Sequence, residues 1–403
     1  MIKKVTIILS FLLLFDLAAL ALLGKAYTTH LLIPPFVHSH DFILFLIFGI
    51  SLLFIFKSKD QFRVKSVEIL FGIAIIYLMI SLFKTRNNVN DQIYYVIRQF
   101  MVFGYAIVIY VIIRQFYMFK DIQKQSLKAI SIFGIICLSI QFIYVFYFLI
   151  FKDKSLFFNR NYFTPIVVLG LFIAASYVLI HVKNTYLKAL SFTGIFLLSL
   201  STGHDSIYLS LAVIFGFYVF LNANKKFKII SVIVIILMSV CVLLFIPSFS
   251  DVNMQWRILY WGDVLNRVMA NYFIIGDGFG IPYVTDEAIE KLNFLMTSND
   301  YDFQIINDQK YILAPHNSFL AMLLHIGFVP LLLLFYPFIN LGRNSNWLKD
   351  KDVLFLCLSL IGTFVFSAFN VVLELPHSSS MIWTVYFIFI FKLDEKREQQ
   401  STI

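Results

Sequence analysis

Residues 317–340 read NSFLAMLLHIGFVPLLLLFYPFIN, a run without a single Asp, Glu, Lys or Arg. Wound as a helix at about 1.5 Å per residue, it is long enough to cross the roughly 30 Å apolar layer of a bilayer. A barrel strand needs only about ten alternating residues, so a run of this length points to a helix. Similar runs lie near 5–24, 41–56, 66–83, 93–113, 128–151, 162–180, 186–201, 206–222, 228–247, 353–372 and 376–391. The composition agrees, at 60% hydrophobic, 18% aromatic and 14% charged residues, with a mean hydropathy of +0.85. Soluble domains carry roughly 45–50% apolar and about 25% charged residues. The expected fold class is an all-α polytopic membrane protein with about 12 transmembrane helices.

The first run follows Lys3 and Lys4 and could imitate a secretion signal, but its length and Asp16 in its middle favour a retained helix. Cys137, Cys241 and Cys357 each lie within an apolar run and lack disulfide or metal spacing, so they read as small core residues. A net charge of +9 could suggest nucleic acid. The basic residues instead sit in short loops, where they orient a membrane protein. With the N-terminus cytoplasmic, 21 of the 32 Lys and Arg fall on the inner side, which places both termini in the cytoplasm.

One connection breaks the pattern. Residues 248–315 separate two spans on the outer side and hold nine of the 23 acidic residues. The chain therefore divides into helices 1–9 over 1–247, a large extracytoplasmic loop carrying short helices over 248–315, and three helices with a cytoplasmic tail over 316–403. A single large loop on a helical bundle is where function is expected.

Within the loop, residues 254–269 (MQWRILYWGDVLNRVM) have helical periodicity, with Ile258, Trp261, Leu265 and Val268 as the packing stripe. Arg267 has Asp263 four residues earlier, so an ion pair is expected there and anion binding is its alternative. Arg257 has Asn253 and Trp261 at those offsets and is the better candidate for an anion. Gly276-Asp277-Gly278-Phe279-Gly280 predicts a tight turn in which backbone can approach a ligand at Gly278 and Gly280. It is not a dinucleotide fingerprint, because no strand–turn–helix unit surrounds it.

His316 and Asn317 then open a helix, whose N-terminal field suits a phosphate and keeps an imidazole neutral. His316 is thus a candidate general base, while Asn317 can position substrate or simply cap the helix. Arg98, Arg160 and Glu374 are further substrate-binding candidates on the outer side, with Asp16 as a possible partner of Arg98. His204 and Asp205 could be a hairpin tip or part of the site. His38 and His40 lack the remaining ligands of a metal site, and His325 reads as a buried hydrogen-bonding residue.

These features resemble the O-antigen ligases and the O-antigen or exopolysaccharide polymerases. The resemblance is strongest from Trp256 to Leu334. It rests on Arg257 with Trp261, on Ile275 to Gly280, and on His316-Asn317-Ser318-Phe319-Leu320 with Gly327. Weaker echoes are Asn161 and Ser201-Thr202-Gly203. Where family members often carry an arginine after that hairpin, this chain has His204-Asp205.

The resemblance implies glycan transfer from undecaprenyl pyrophosphate at the outer face of a bacterial plasma membrane, with no metal, cofactor or nucleotide sugar. It maps the family's loop arginine and helix-start histidine onto Arg257 and His316. The partners implied are the lipid-linked oligosaccharide, a glycan acceptor and the bilayer; flippase and chain-length regulator proteins are further candidates. A polymerase acting on lipid-linked repeat units is the reading preferred here. A ligase acting on lipid A–core is the nearest alternative, and a lipid-linked oligosaccharide flippase is the alternative from another class.

Overall fold

The computed structural model describes residues 2–23, 27, 31–33, 37–57, 66–85, 89–151, 165–199, 205–222, 252–299 and 304–401. These residues are helical apart from loops and one antiparallel ribbon, β1 (Leu31–Ile33) with β2 (Val37–His38), which pairs Leu31 with His38. The membrane-type helices of the first half are α1 (Ile2–Leu23), α2 (Ser39–Lys57), α3 (Ser66–Thr85), α4 (Val89–Phe116), α5 (Lys120–Phe151), α6 (Pro165–His181), α7 (Thr185–Ser199) and α8 (Asp205–Asn222). Four are long and apolar enough to cross a membrane, over Ile2–Leu23, Ser39–Phe56, Ile93–Phe116 and Lys120–Tyr147. Shorter apolar helices include Phe71–Thr85, Ile166–His181, Thr185–Ser199, Ser206–Asn222 and Phe328–Arg343. The run at 228–247, Cys241, Asn161 and Ser201-Thr202-Gly203 lie outside the described residues.

The loop contributes α9 (Val252–Arg267), a π-helical turn at Val268–Tyr272, α10 (Asp286–Thr297) and a 3-10 turn at Asn307–Tyr311. Two helices then replace the single span expected over 317–340: α11 (Ser318–Ile326) and α12 (Phe328–Arg343). The break is at Gly327, whose φ of 83° suits a residue without Cβ. A Cβ there would stand 2.2 Å from the Ile274 carbonyl oxygen, and Phe328 N–H donates to Phe273 O at 2.8 Å. Tertiary stitching to the loop thus overrides the apolar run. The chain ends in α13 (Lys351–Ser367) and α14 (Pro376–Ser401).

The main core joins both halves of the chain: α6 packs between α5 and α13, while α4 packs against α2 and α14. Buried Leu20, Ile109, Phe133, Phe172, Leu356 and Phe389 belong to it, as does Cys137, and Cys357 is buried there too. A second, smaller core lies under the loop and contains Trp256, Tyr260, Val264, Val268, Tyr283 and Leu292. It also takes in Ala321, Leu323 and Leu324 of α11, which therefore serves both cores.

The α9 stripe differs from the expected one. Ile258 and Leu265 are 50% and 44% exposed, whereas Trp256, Tyr260 and Val264 are buried and Val268 is common to both sets. Large aromatic side chains on the neighbouring face turn α9 toward the loop's own core.

Candidate functional site

Residues 313–318 are held from two sides. On one side, Tyr260 OH donates to Leu313 O, and Trp261 Nε1 donates to Pro315 O at 2.5 Å. The indole of Trp256 meets the His316 imidazole edge to face, with centroids 5.8 Å apart. Arg257 is next to Trp256 in the chain, and its Nε is buried. Arg257 and His316, 59 positions apart in sequence, therefore sit on directly packed elements.

On the other side, Ser318 Oγ accepts N–H groups from Val372 at 3.0 Å and Leu373 at 3.2 Å. Its hydroxyl donates to Glu374 Oε2 at 2.5 Å. Asn370 Nδ2 continues the network to Ser206 Oγ at 2.7 Å, tying in the start of α8.

His316 itself has φ 50°, the single positive φ of a non-glycine side chain among the described residues. Such backbone costs on the order of 1 kcal/mol and persists where surrounding structure enforces it. Asn317 is the N-cap of α11, with Oδ1 accepting from Phe319 and Leu320 N–H at 3.1 Å each. Its capping role is thus realised, and the helix N-terminus lies immediately beyond His316.

The glycine turn is a clamp on the bundle. Gly276, Gly278 and Gly280 have φ of 64°, 91° and 72°. Asp277 N–H donates to Leu324 O, Gly278 N–H to His325 O, Phe279 N–H to Thr85 Oγ1 and Gly280 N–H to Gln99 Oε1, at 2.6–3.2 Å. Lys84 Nζ reaches Gly276 O at 2.6 Å, and buried His325 donates from Nδ1 to Gly278 O at 2.7 Å. The expected close approach of backbone to a ligand is instead made by the protein's own helices. A Cβ on Gly278 would meet Ser81 O at 3.0 Å, and one on Gly280 would meet Val96 Cγ2 at 2.5 Å. With their N–H groups spent in this way, Gly278 and Gly280 position the loop.

Arg267 corrects a second expectation. Its Nη2 pairs with Asp277 Oδ2 and its Nη1 donates to Pro282 O, both at 2.8 Å. Asp263 turns instead to Thr285, accepting from its N–H at 2.9 Å and its hydroxyl at 2.7 Å, which fixes the start of α10. An i, i+4 pair worth a few tenths of a kcal/mol gives way to tertiary partners that hold both elements.

Arg98 lies in the N-terminal half of α4, exposed rather than buried, with Nη1 3.4 Å from Tyr94 OH. Asp16 is not its partner: Asp16 accepts from Tyr27 OH and lies 2.8 Å from His40 Nδ1, both interactions being 2.8 Å long. Among the described residues no cluster of three or more His, Cys, Asp or Glu has metal-site geometry.

Sequence reasoning missed Tyr283. Burial, reinforced by the field of Glu374 and opposed by that of Arg98, raises its phenol well above the usual tyrosine range. The charges of Arg98 and Glu374 thus both act on this phenol. Burial also pushes the Glu374 carboxyl up to about 7, against the Ser318 hydroxyl and nearby backbone N–H groups that favour its ionised form. A tyrosine between the glycine turn and the His316-Asn317 helix start had no pattern of its own to reveal it. Arg160 and His204 lie outside the described residues, as does the side chain of Asp205.

An apolar groove runs between α3, α4, α12 and α14. Its lining includes Leu78, Phe103, Leu334, Trp383 and Phe387, and it reaches Met322 and Ile326 of α11.

A family model described as O-antigen ligase matches residues 189–335, which include α9, the glycine clamp, His316 and α11. The match supports the O-antigen ligase and polymerase superfamily and, in general terms, enzymatic glycan transfer with a lipid-linked glycan and an acceptor. With the apolar helices it supports a multi-pass membrane protein acting in polysaccharide biosynthesis. No curated protein matched the chain.

Proposed function

We propose that the protein is a polysaccharide polymerase that moves a glycan from undecaprenyl pyrophosphate to a hydroxyl of a lipid-linked repeat unit at the outer face of the plasma membrane. The observation that carries this reading is the packing of Trp256 on His316, which brings the Arg257 end of α9 to the start of α11. In the proposed mechanism His316 takes the proton of the attacking hydroxyl as the new glycosidic bond forms at the anomeric carbon. The sugar–phosphate bond breaks on the opposite face, and the electron pair leaves with the pyrophosphate. Arg257 opposes the charge that develops there, with Arg98 as a second cation in the N-terminal half of α4. Arg160 remains a further candidate for that role.

Asn317 spends its Oδ1 on the cap, which leaves its amide N–H groups for substrate. The groove supports the lipid half of the proposal, because an apolar channel reaching Met322 and Ile326 would lead a polyprenyl tail toward the pyrophosphate end. The acceptor separates a polymerase from a ligase. A gel of surface polysaccharide from a deletion strain tests it: loss of the ladder above one repeat supports the polymerase. Intact long chains retained on the undecaprenyl carrier would instead assign a ligase, and repeat units accumulating on the cytoplasmic side would assign a flippase.

A further inference from the structure

Glu374 poses a question that the mechanism above leaves open. Ser318 Oγ has two lone pairs and one proton. Both lone pairs are occupied, by Val372 and Leu373 N–H, so its proton is what reaches Glu374 Oε2. Oε2 is therefore an acceptor, and any proton on the carboxyl sits on Oε1. That atom is sealed from solvent and has no hydrogen-bond partner among the described residues. A buried polar atom left this way is costly in either protonation state.

Ser318 does not depend on the carboxyl for an acceptor. Asn370 O lies 3.2 Å from Ser318 Oγ and can take the same proton. An apolar side chain at 374 would thus remove an orphaned atom while leaving the Ser318 proton an acceptor.

We infer that Glu374 Oε1 is a binding atom for a sugar hydroxyl of the glycan, resting on the glycan-transfer reading of this site. A hydroxyl both donates and accepts, so it completes Oε1 whether the carboxyl holds its proton or has released it. A phosphoryl oxygen only accepts and would be repelled by the ionised form. Ser318 directly follows Asn317, so its bond to Glu374 places a hydroxyl held there near the start of α11. The neutral pH range is where the carboxyl changes form, and a partner indifferent to that change keeps the site occupied throughout.

The test uses the full-length protein in detergent with two probes: undecaprenyl-pyrophosphate-linked repeat units extracted from a deletion strain, and undecaprenyl pyrophosphate without sugar. Glu374→Met is expected to raise the KM for the lipid-linked repeat about tenfold, equivalent to about 1.4 kcal/mol, with a smaller change in kcat. Glu374→Gln, which keeps a hydrogen-bonding head, recovers most of that loss. Inhibition by undecaprenyl pyrophosphate stays as in the unmodified protein for both variants. If Met at 374 weakens the sugar-free lipid as much as the glycan-bearing one, the atom serves the phosphate end and the inference is wrong. Equal KM values for all three proteins would also overturn it while leaving glycan transfer standing. An unmodified protein that neither transfers glycan nor binds the sugar-free lipid would remove both readings together.

Discussion

Replacing Glu374 by glutamine is expected to stabilise the protein, and only above a definite pH. The carboxyl ionises at about 7 in place of the usual 4.5, chiefly because it is buried. Below pH 4.5 the folded and unfolded chains both hold the proton, and the residue contributes no difference between them. From 4.5 to about 7 the folded protein keeps a proton that the unfolded chain has released, so stability falls as pH rises through this window. Above about 7 the full penalty is present, on the order of 3 kcal/mol. Glutamine has the same shape and does not titrate, so the gap between variant and parent should open from pH 4.5 and level off just above 7. Equilibrium unfolding of both proteins in the same detergent from pH 4 to 8.5 measures it, and taking the difference cancels every other titrating group. A gap that is flat across that range would refute the burial argument, as would a variant less stable than its parent at pH 8.

Four further outcomes follow from the geometry. His316→Gly should abolish transfer while stabilising the fold by about 1 kcal/mol, since it relieves a left-handed backbone; activity and unfolding assays on one preparation read both. His316→Gln should lower kcat about 10²–10⁴-fold, the range of a lost general base, with thermal stability little changed. Gly327→Ala should cost at least about 2 kcal/mol, because the left-handed φ is joined by a Cβ only 2.2 Å from Ile274 O; detergent unfolding detects this. Arg267→Met and Asp277→Asn should each destabilise by about 1–3 kcal/mol, and the double variant by clearly less than their sum, as a double-mutant cycle on a mostly buried pair would show.

The helical class was legible because apolar runs longer than a barrel strand have one physical solution in lipid. Helix positions such as 66–83 and 206–222 fall within α3 and α8 for that reason. The break at Gly327 was not legible, since hydropathy counts apolar residues and is blind to a turn docking against backbone. The same blindness explains α9. Periodicity marks two adjacent stripes there, and the choice between them is made by what α9 packs on. Asp263 and Arg267 have the spacing of a helix pair yet find stronger tertiary partners, which no local pattern announces. In the candidate site, His316 and Arg257 were picked out by their placement at a helix start and on a loop helix. The Ser318–Glu374 link joins residues 56 positions apart and needed three dimensions to appear.

The short helix α11 has a divided allegiance. Met322 and Ile326 line the apolar groove, while Ala321, Leu323 and Leu324 belong to the core under the loop. Gly327 releases it from α12, so its nine residues form a separate unit with His316 just ahead of their first turn. On the proposed reading, the two ends of one substrate rest against the same small lever, the tail along its flank and the sugar at its tip. How well a lipid fills the channel then sets the alignment of the chemistry as well as affinity. Shortening the prenyl chain should therefore slow turnover even at saturating substrate, making the carrier a participant in the reaction it delivers.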